Sequence, residues 1–582
     1  MPKAKVYTNL QIADLLRNVA ASYELRNANS NKFRIIAYDR AATAVEHASS
    51  ELKDLWDEGK LEEVPGIGKS IAAHIDELFR TGKVKHFEKL LSGFPKLMFD
   101  LIKLPGIGPK TAFKLVKEGK LPPEVKQALK QQKDKTRRYL LPYAQERAEE
   151  VIAWLNQCPW VKRADPLGSL RRQASTIGDI DLAVATDKPR EVIAHFVKFP
   201  KVQKIVDQGE TKATVVLPGN VQVDLMVQPG ASYGALLQHF TGSKHHNIAL
   251  REFALKRDLS LSEYGIKKLS PAFKTSKVSV VKDKAREFKE ETDFYQFVGL
   301  DWITPELRED TGEIEAARKH QLPELVTLEE INGDLQIHSS FDIETSHDLG
   351  LDSMEDIVKT ADQLGYSYLA FTEHNPSQSK HQARQIVEIL KMKREKVDEL
   401  NYSLKNKDKK CVQKVFNSLE IDILPDGSCP IPSAGFEFLD FVLVGIHSSF
   451  NLDRDKMTKR ILQALAWNEK VKVLAHPTAR KLNEREGIEL DWPEILGFCA
   501  NNHKWLEINA DPMRLDLPDF LVKEAVRMEV RLTLGTDAHA KEMLANMRFG
   551  VAVARRGWAT RNDIINCLDL AEFESLLKGG ER

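Results

Sequence analysis

Net charge is the first thing this chain lacks. Its 582 residues carry 85 basic and 85 acidic side chains, so no overall field draws it to a polyanion or a membrane surface. Cysteine is also sparse. Cys158, Cys411, Cys429, Cys499 and Cys567 are scattered, with no CxxC pair. That excludes a disulfide framework and a cysteine-built zinc finger, and it fits a reduced compartment. No run of about eighteen apolar residues exists to span a bilayer. Met1-Pro2-Lys3-Ala4-Lys5 lacks the apolar core of a signal peptide. The expectation is a cytoplasmic monomer with no membrane partner. What is present is unevenly spread. The hydrophobic content of 42% supports several domains with their own cores. Residues 1–143 hold 26 Lys and Arg against 17 Asp and Glu, and the remainder carries the balancing acidic excess. A basic front suits phosphate, and an acidic back suits metal.

The densest chemistry lies in Gly168-Ser169-Leu170-Arg171-Arg172, followed by Gly178-Asp179-Ile180-Asp181. Asp179 and Asp181 stand two apart at the head of the apolar run Ile180-Asp181-Leu182-Ala183-Val184. In a strand, that spacing points both carboxylates to one face and Ile180, Leu182 and Val184 to the other. Such a pair repels unless a cation lies between, and Mg2+ takes one or two carboxylates plus substrate phosphates. Val221-Gln222-Val223-Asp224-Leu225-Met226-Val227 alternates as a strand, with Asp224 facing away from Val221, Val223, Leu225 and Val227. Three acids on adjacent strands can hold two metals that clamp the oxygens of an in-line displacement. Ser169 and Arg172 are expected on triphosphate oxygens. The plainer alternative is a pair of surface strands with solvated acids.

Two Pro-Gly-Ile-Gly segments, Pro65-Gly66-Ile67-Gly68 and Pro105-Gly106-Ile107-Gly108, each open an apolar helix. They read as helix-hairpin-helix motifs. Their glycines allow a tight turn, and backbone N–H groups at the helix start take a DNA phosphate whatever the base sequence. Residues 8–60 read as short amphipathic helices, with Ile12, Leu15, Leu16 and Val19 at helical spacing. Residues around 305–330 turn acidic and proline-punctuated, as a linker does. Beyond it, apolar strands repeatedly end in His or acid: His338, Glu373-His374, Glu420-Ile421-Asp422, His447, His476, Glu507 and Asp537-Ala538-His539. Helical segments lie between several of them. That alternation suggests a (β/α) barrel with its site at the C-terminal strand ends.

The Gly-Ser-Leu-Arg-Arg and Gly-Asp-Ile-Asp blocks resemble the palm of family X DNA polymerases, the group that includes DNA polymerase beta. Phe240-Thr241-Gly242-Ser243 through Asn247 to Arg251 resembles that family's nucleotide-pocket motif. The resemblance implies that Phe240, Thr241 and Gly242 lie against the incoming sugar, Asn247 on the base edge and Arg251 on the template strand. Gly178 joins Ser169 and Arg172 in positioning the triphosphate, and Asp179, Asp181 and Asp224 are the catalytic metal ligands, for Mg2+ or Mn2+. The strand-end series resembles the PHP (polymerase and histidinol phosphatase) domain, a trinuclear phosphoesterase. That implies Mn2+ or Zn2+ on His338, His374, Glu420, His447, His476, Asp537 and His539. The implied architecture is multidomain. An α-helical small domain (1–85) precedes fingers (86–143), each with one hairpin, then an α+β nucleotidyltransferase palm (144–230) and thumb (231–318). A linker (319–333) leads to an α/β distorted (β/α) PHP barrel (334–575). The implied function is template-directed filling of short gaps in DNA repair, on gapped or nicked DNA with deoxynucleoside triphosphates. A 3′–5′ exonuclease or abasic-site cleavage is added if the PHP site is active.

Several residues depart from the family patterns. Gln336 stands where the first His of His-x-His is usual, and an amide is a poorer ligand than imidazole. Glu373 replaces an Asp. The usual Ser-Asp-Gly is missing, with Asp342 as an offset candidate for its acid. These changes predict fewer than three metals and slow DNA degradation. In the polymerase half, His239, Met226 and Gln173 replace the common Tyr, Arg and Gly. His74 replaces the lysine that would form an imine, so lyase chemistry by that route is not expected. The rival readings are a structural, catalytically weak PHP domain, a non-templated nucleotidyltransferase, and a DNA-binding scaffold.

Overall fold

The computed structural model describes residues 7, 9–27, 30–46, 52, 56, 59, 61, 67–102, 107–119, 121–122, 125–126, 138–269, 285–405, 412–483 and 485–579. The chain forms two compact units, Met1–Arg137 and Arg138–Arg582.

The first unit is helical among its described residues. The N-terminal stretch forms two long helices, Asn9–Asn27 and Lys32–Glu46, rather than several short ones. Ile12, Leu16 and Val19 are buried at the spacing the sequence showed, facing Tyr38, Ala41 and Val45 in one core. Helices Lys69–Thr81 and Pro109–Glu118 follow the two hairpin turns.

The second unit begins with a five-stranded sheet. Its strands are β1 (Arg163–Pro166), β2 (Ile180–Ala185), β3 (Lys204–Gln208), β4 (Lys212–Leu217) and β5 (Val221–Gln228), in the order β1-β2-β5-β4-β3. β2 and β5 run parallel, and the other pairs are antiparallel. Alternation sorts the sheet into two faces. Ile180, Leu182, Val184, Val221, Val223, Leu225 and Val227 enter one core, beneath helix Leu141–Leu155. Ala183, Ala185 and Met226 pack on the other face against Tyr233, Leu236 and Leu237 of helix Tyr233–Thr241. The acids share this second face. Next come helix Lys244–Leu255, the hairpin Leu259–Ser262/Gly265–Lys268 and helix Glu291–Val298, with Leu250, Ile266 and Phe294 in a common core.

Residues 319–333 connect to the C-terminal region but are not a loose tether. Val326 and Ile331 are buried, Val326 N–H bonds to the Ala559 carbonyl, and Leu325 bridges to Thr560. Eight parallel strands follow: β6 (Gly333–Ile337), β7 (Tyr368–Phe371), β8 (Lys414–Asn417), β9 (Glu420–Asp422), β10 (Val442–Gly445), β11 (Val471–Leu474), β12 (Trp505–Asn509) and β13 (Leu532–Gly535). They form two sheets, β6-β7-β8 and β9-β10-β11-β12-β13. Single bridges connect the two sheets: Ile337–Ala538 from the end of edge strand β6 to just past edge strand β13, and His374–Glu420 from just past β7 to the start of β9. These strands are buried along nearly their whole length, as parallel strands covered on both faces are, and the polar residues they carry, such as Asp334, Gln336, Glu420 and Glu507, are buried with them.

Candidate functional site

Asp181 and Asp224 are direct neighbours in the β2–β5 register, on the face beneath helix Tyr233–Thr241. Asp179 sits just ahead of β2 and is exposed. Gly168 closes over Asp181. A Cβ there would lie 2.6 Å from Asp181 Oδ2, and the residue has φ +56°, so any side chain meets both a clash and strain. Burial, then the charges of Asp179 and Asp224, push the Asp181 carboxyl up to about 7. Lys212 and Arg172 offset this charge only in part, and a divalent cation can supply the rest. Asp224 is held on both oxygens, by the Thr214 hydroxyl and by Gln222 Nε2 at 2.7 Å.

Arg171 and Arg172 have separate duties. Arg171 turns inward, 2.9 Å from Glu291, and Arg308 meets the same buried carboxylate at 2.5 Å. Arg172 lies beside the nucleotide-pocket motif. Its Nη1 donates to the Thr241 carbonyl at 2.5 Å and its Nε to Glu309 at 2.9 Å. Gly242, at φ +70°, would place a Cβ 3.2 Å from that guanidinium. Ser169 starts the same short turn of helix. Asn247 accepts from Gln238 Nε2 at 2.8 Å and donates to the His239 carbonyl at 2.7 Å. His239 packs on Phe240, and its Nδ1 is 3.4 Å from Arg251 Nη2. Met226 is buried in the apolar cluster of Ala183, Leu236 and Leu237 that Phe240 packs against, so an apolar side chain fills the place of a charge. Gln173 adopts φ 55°, the left-handed backbone that explains why Gly is common there. Sequence reasoning missed Arg138. Burial works against its charge and Asp179 favours it, and its Nη1 would lie 3.4 Å from a Cβ on Gly178.

In the first unit, Gly68 and Gly108 have matching extended backbones (φ −87°, ψ 167° and φ −79°, ψ 169°). Each leads into a helix whose start no side chain caps. Such N–H groups can take a phosphate. Gly66 and Gly106 lie outside the described residues. His74 stacks on His86 at 5.2 Å, and burial, then His86, lower its pKa.

The C-terminal strand ends gather six histidines. The rings of His338 and His539 are 4.2 Å apart, His347 and His374 4.5 Å, and His338 and His374 4.6 Å. Glu420 lies at the centre. Its Oε1 is 2.7 Å from His476 Nε2 and 3.1 Å from His447 Nε2. Its Oε2 is 3.4 Å from His338 Nε2, which is also 3.2 Å from Asp537. Buried atoms without hydrogen bonds include both His338 nitrogens, His374 Nδ1, Glu420 Oε2 and His476 Nδ1. Orphaned donors and acceptors converging this closely fit metal ligation. Four groups of ligand atoms lie within 4.8 Å: His338, His374 and His539; His347, His374 and His447; Glu420, His447 and His476; His338, Glu420 and Asp537. Burial, offset in part by Glu420, holds His374 well below the ordinary range and so neutral, the form that ligates. His476 (φ 29°) and Asp537 (φ 53°) both have left-handed backbones, strain of the kind that collects at functional sites.

The departures find physical accounts here. Asp342 is exposed, outside all four groups. His347, from the same loop, takes the place proposed for it, with Nε2 at 2.9 Å from Asp422, which also holds His447 Nδ1 at 2.6 Å. Neither His347 nor the anchoring part of Asp422 was legible, because the loop sets no fixed spacing from His338. Glu373 turns away from the histidines and pairs with buried Lys393 at 2.6 Å. Gln336 is buried, its Oε1 accepting from Asn509 at 3.1 Å, while its Nε2 has no partner. Gln336 thus brings no imidazole to these groups, while His347 brings one that the sequence reading did not name.

A DNA polymerase beta thumb model matches residues 236–309, a helix-hairpin-helix domain model residues 7–84, and a SAM-like helix-hairpin-helix tandem model residues 98–137. The chain is 32% identical to "DNA polymerase/3'-5' exonuclease PolX" of Bacillus subtilis (strain 168), across 97% of this chain and 99% of that protein. It is 24% identical to DNA polymerase lambda of Rattus norvegicus over 52% of this chain and 56% of that protein, and 24% identical to the Arabidopsis thaliana enzyme over 51% and 62%. A polymerase palm with a beta-type thumb is thus the class that fold and comparisons share. The chain belongs to family X of the DNA polymerases. No helix among the described residues is long and apolar enough to cross a membrane.

Proposed function

We propose that this polymerase fills short gaps in DNA and that its C-terminal region is a PHP-type distorted barrel acting as a 3′–5′ exonuclease. The in-register pair Asp181–Asp224 under Gly168 carries the first reading. In it, Asp179, Asp181 and Asp224 would hold Mg2+ or Mn2+, and Asp224 would help activate the primer 3′-hydroxyl. Ser169, Arg172 and Gly178 orient the triphosphate. Phe240, Thr241 and Gly242 line the sugar, Asn247 meets the base edge, and Arg251 meets the template. The hairpin glycines Gly66, Gly68, Gly106 and Gly108 track the DNA backbone. Thr214 and Gln222 keep both oxygens of Asp224 fixed, so the carboxylate does not swing as the primer arrives. Primer extension on gapped DNA, with and without template opposite the gap, tests this. Template-independent addition at the same rate contradicts it.

The converging unpaired atoms of His338, His374, Glu420 and His476 carry the second reading. We assign His338, His347, His374, Glu420, His447, His476, Asp537 and His539 to Mn2+ or Zn2+, with Asp422 orienting His347 and His447. When bound, divalent cations at either site supply positive charge to phosphoryl oxygens and to the attacking oxygen. Release of nucleotides from the 3′ end of a 5′-labelled primer, with Mn2+ and no triphosphates, tests the reading. An undegraded primer contradicts it.

A further inference from the structure

We propose that Arg556, a residue of the C-terminal region, is a positioning residue for nucleotide binding in the polymerase palm, acting through Glu309 on Arg172. The proposal rests on the assignment of Arg172 to the triphosphate.

A guanidinium has five N–H donors in a fixed fork, so gripping one edge aims the other. Arg172 is gripped at Nε by Glu309 (2.9 Å) and at Nη1 by the Thr241 carbonyl (2.5 Å). Its Nη2 makes no hydrogen bond among the described residues, which leaves that edge for an anion. The grip is itself held from helix Met547–Arg556. Arg556 Nη1 donates to the same Glu309 oxygen at 3.0 Å and to the backbone carbonyl of Arg172 at 2.7 Å. The rest of the Arg556 fork is anchored on Asp519, from Nε at 2.8 Å and Nη2 at 2.5 Å. Its side chain is 9% exposed. Two residues 384 apart in the chain thus share the Glu309 carboxylate, and Arg556 also holds the Arg172 backbone carbonyl.

The charge arrangement fixes the direction of the effect. With Arg556 present, Glu309 divides its negative charge between two guanidiniums, and Arg172 keeps an excess for the triphosphate. Without Arg556, Glu309 pairs with Arg172 alone and competes with the nucleotide, while the Arg172 backbone loses its brace. Both changes weaken nucleotide binding and neither touches the acids.

The test is steady-state gap filling with the full-length enzyme. Arg556→Ala is expected to raise KM for the incoming nucleotide about tenfold, with kcat within about twofold and KM for the gapped DNA unchanged. Adding Glu309→Gln to Arg556→Ala is expected to recover most of that loss, because the competing charge is gone. A structural role alone predicts the reverse, since a second lesion in one network would deepen the first. Asp519→Asn, which only loosens the fork, is expected to raise the same KM about threefold, and it decides the matter if Arg556→Ala does not melt cooperatively. An unchanged nucleotide KM in a folded Arg556→Ala or Asp519→Asn enzyme overturns the proposal, as does a further loss on adding Glu309→Gln. If Arg172→Ala itself leaves that KM unchanged, the assignment of Arg172 fails first and this proposal falls with it.

Discussion

On the proposed assignments, the palm and the C-terminal site meet one problem, holding divalent cations against phosphate, in opposite ways. The palm offers three carboxylates and no imidazole, two on neighbouring strands and the third, Asp179, just ahead of β2 and open to solvent. The C-terminal site offers six imidazoles and two central carboxylates, gathered from many strand ends, most of them buried. Carboxylates spaced to share Mg2+ with a substrate suit ions that come and go with the nucleotide. Imidazoles locked by neighbours suit softer resident ions. One site assembles its charge with the substrate, and the other is organised in advance.

The comparison breaks most readily at Asp181. Asp181→Ala is expected to lower gap filling by at least about a thousandfold with no loss of folding, because the carboxylate is needed only when metals and triphosphate are present. Extension by that variant in a single-turnover assay would show that the palm does not depend on its acids. Stability should respond differently. Despite burial, Arg308 and then Arg171 hold Glu291 down at about 2. Removing that carboxylate leaves two guanidiniums uncompensated, so Glu291→Ala is expected to cost about 3–5 kcal/mol in urea unfolding. Because the folded pKa is depressed, this contribution is full above about pH 4.5 and is lost as pH falls toward 2. A wild-type stability curve flat from pH 5 to 2.5 that Glu291→Ala does not alter would refute it.

Smaller effects sharpen the contrast. His347→Ala is expected to release part of the bound metal and to slow 3′–5′ degradation by about 10–100-fold, with polymerisation intact. Elemental analysis after gel filtration checks the first part, and undiminished metal content contradicts the assignment. Gln336→His is expected to change degradation less than about threefold, since Gln336 is engaged by Asn509 and His347 already supplies an imidazole. A large gain would mean that Gln336 is the limiting gap in the ligand set.

The same contrast explains what the sequence revealed. The palm acids were legible because both spacing rules, two residues along a strand and alternation across its faces, act within a few residues. Most of the His and acid side chains that the structure gathers at the C-terminal site were legible because parallel strands end at one rim. His347 was hidden because a loop ligand obeys no period, and the Glu373–Lys393 pair because its partners lie on different elements. The brace from Arg556 was beyond any local pattern. The apparent linker at 319–333 misled because Pro323 and its acids mask the buried Val326 and Ile331.

The central claim is that one chain holds two metal-dependent sites with separate chemistry. A single 5′-labelled primer on gapped DNA with Mn2+ tests it directly, run with and without triphosphates for Asp181→Ala and His374→Ala. The account predicts that Asp181→Ala shortens the primer but does not extend it, and that His374→Ala extends it but does not shorten it. Loss of both activities in either folded variant would contradict it.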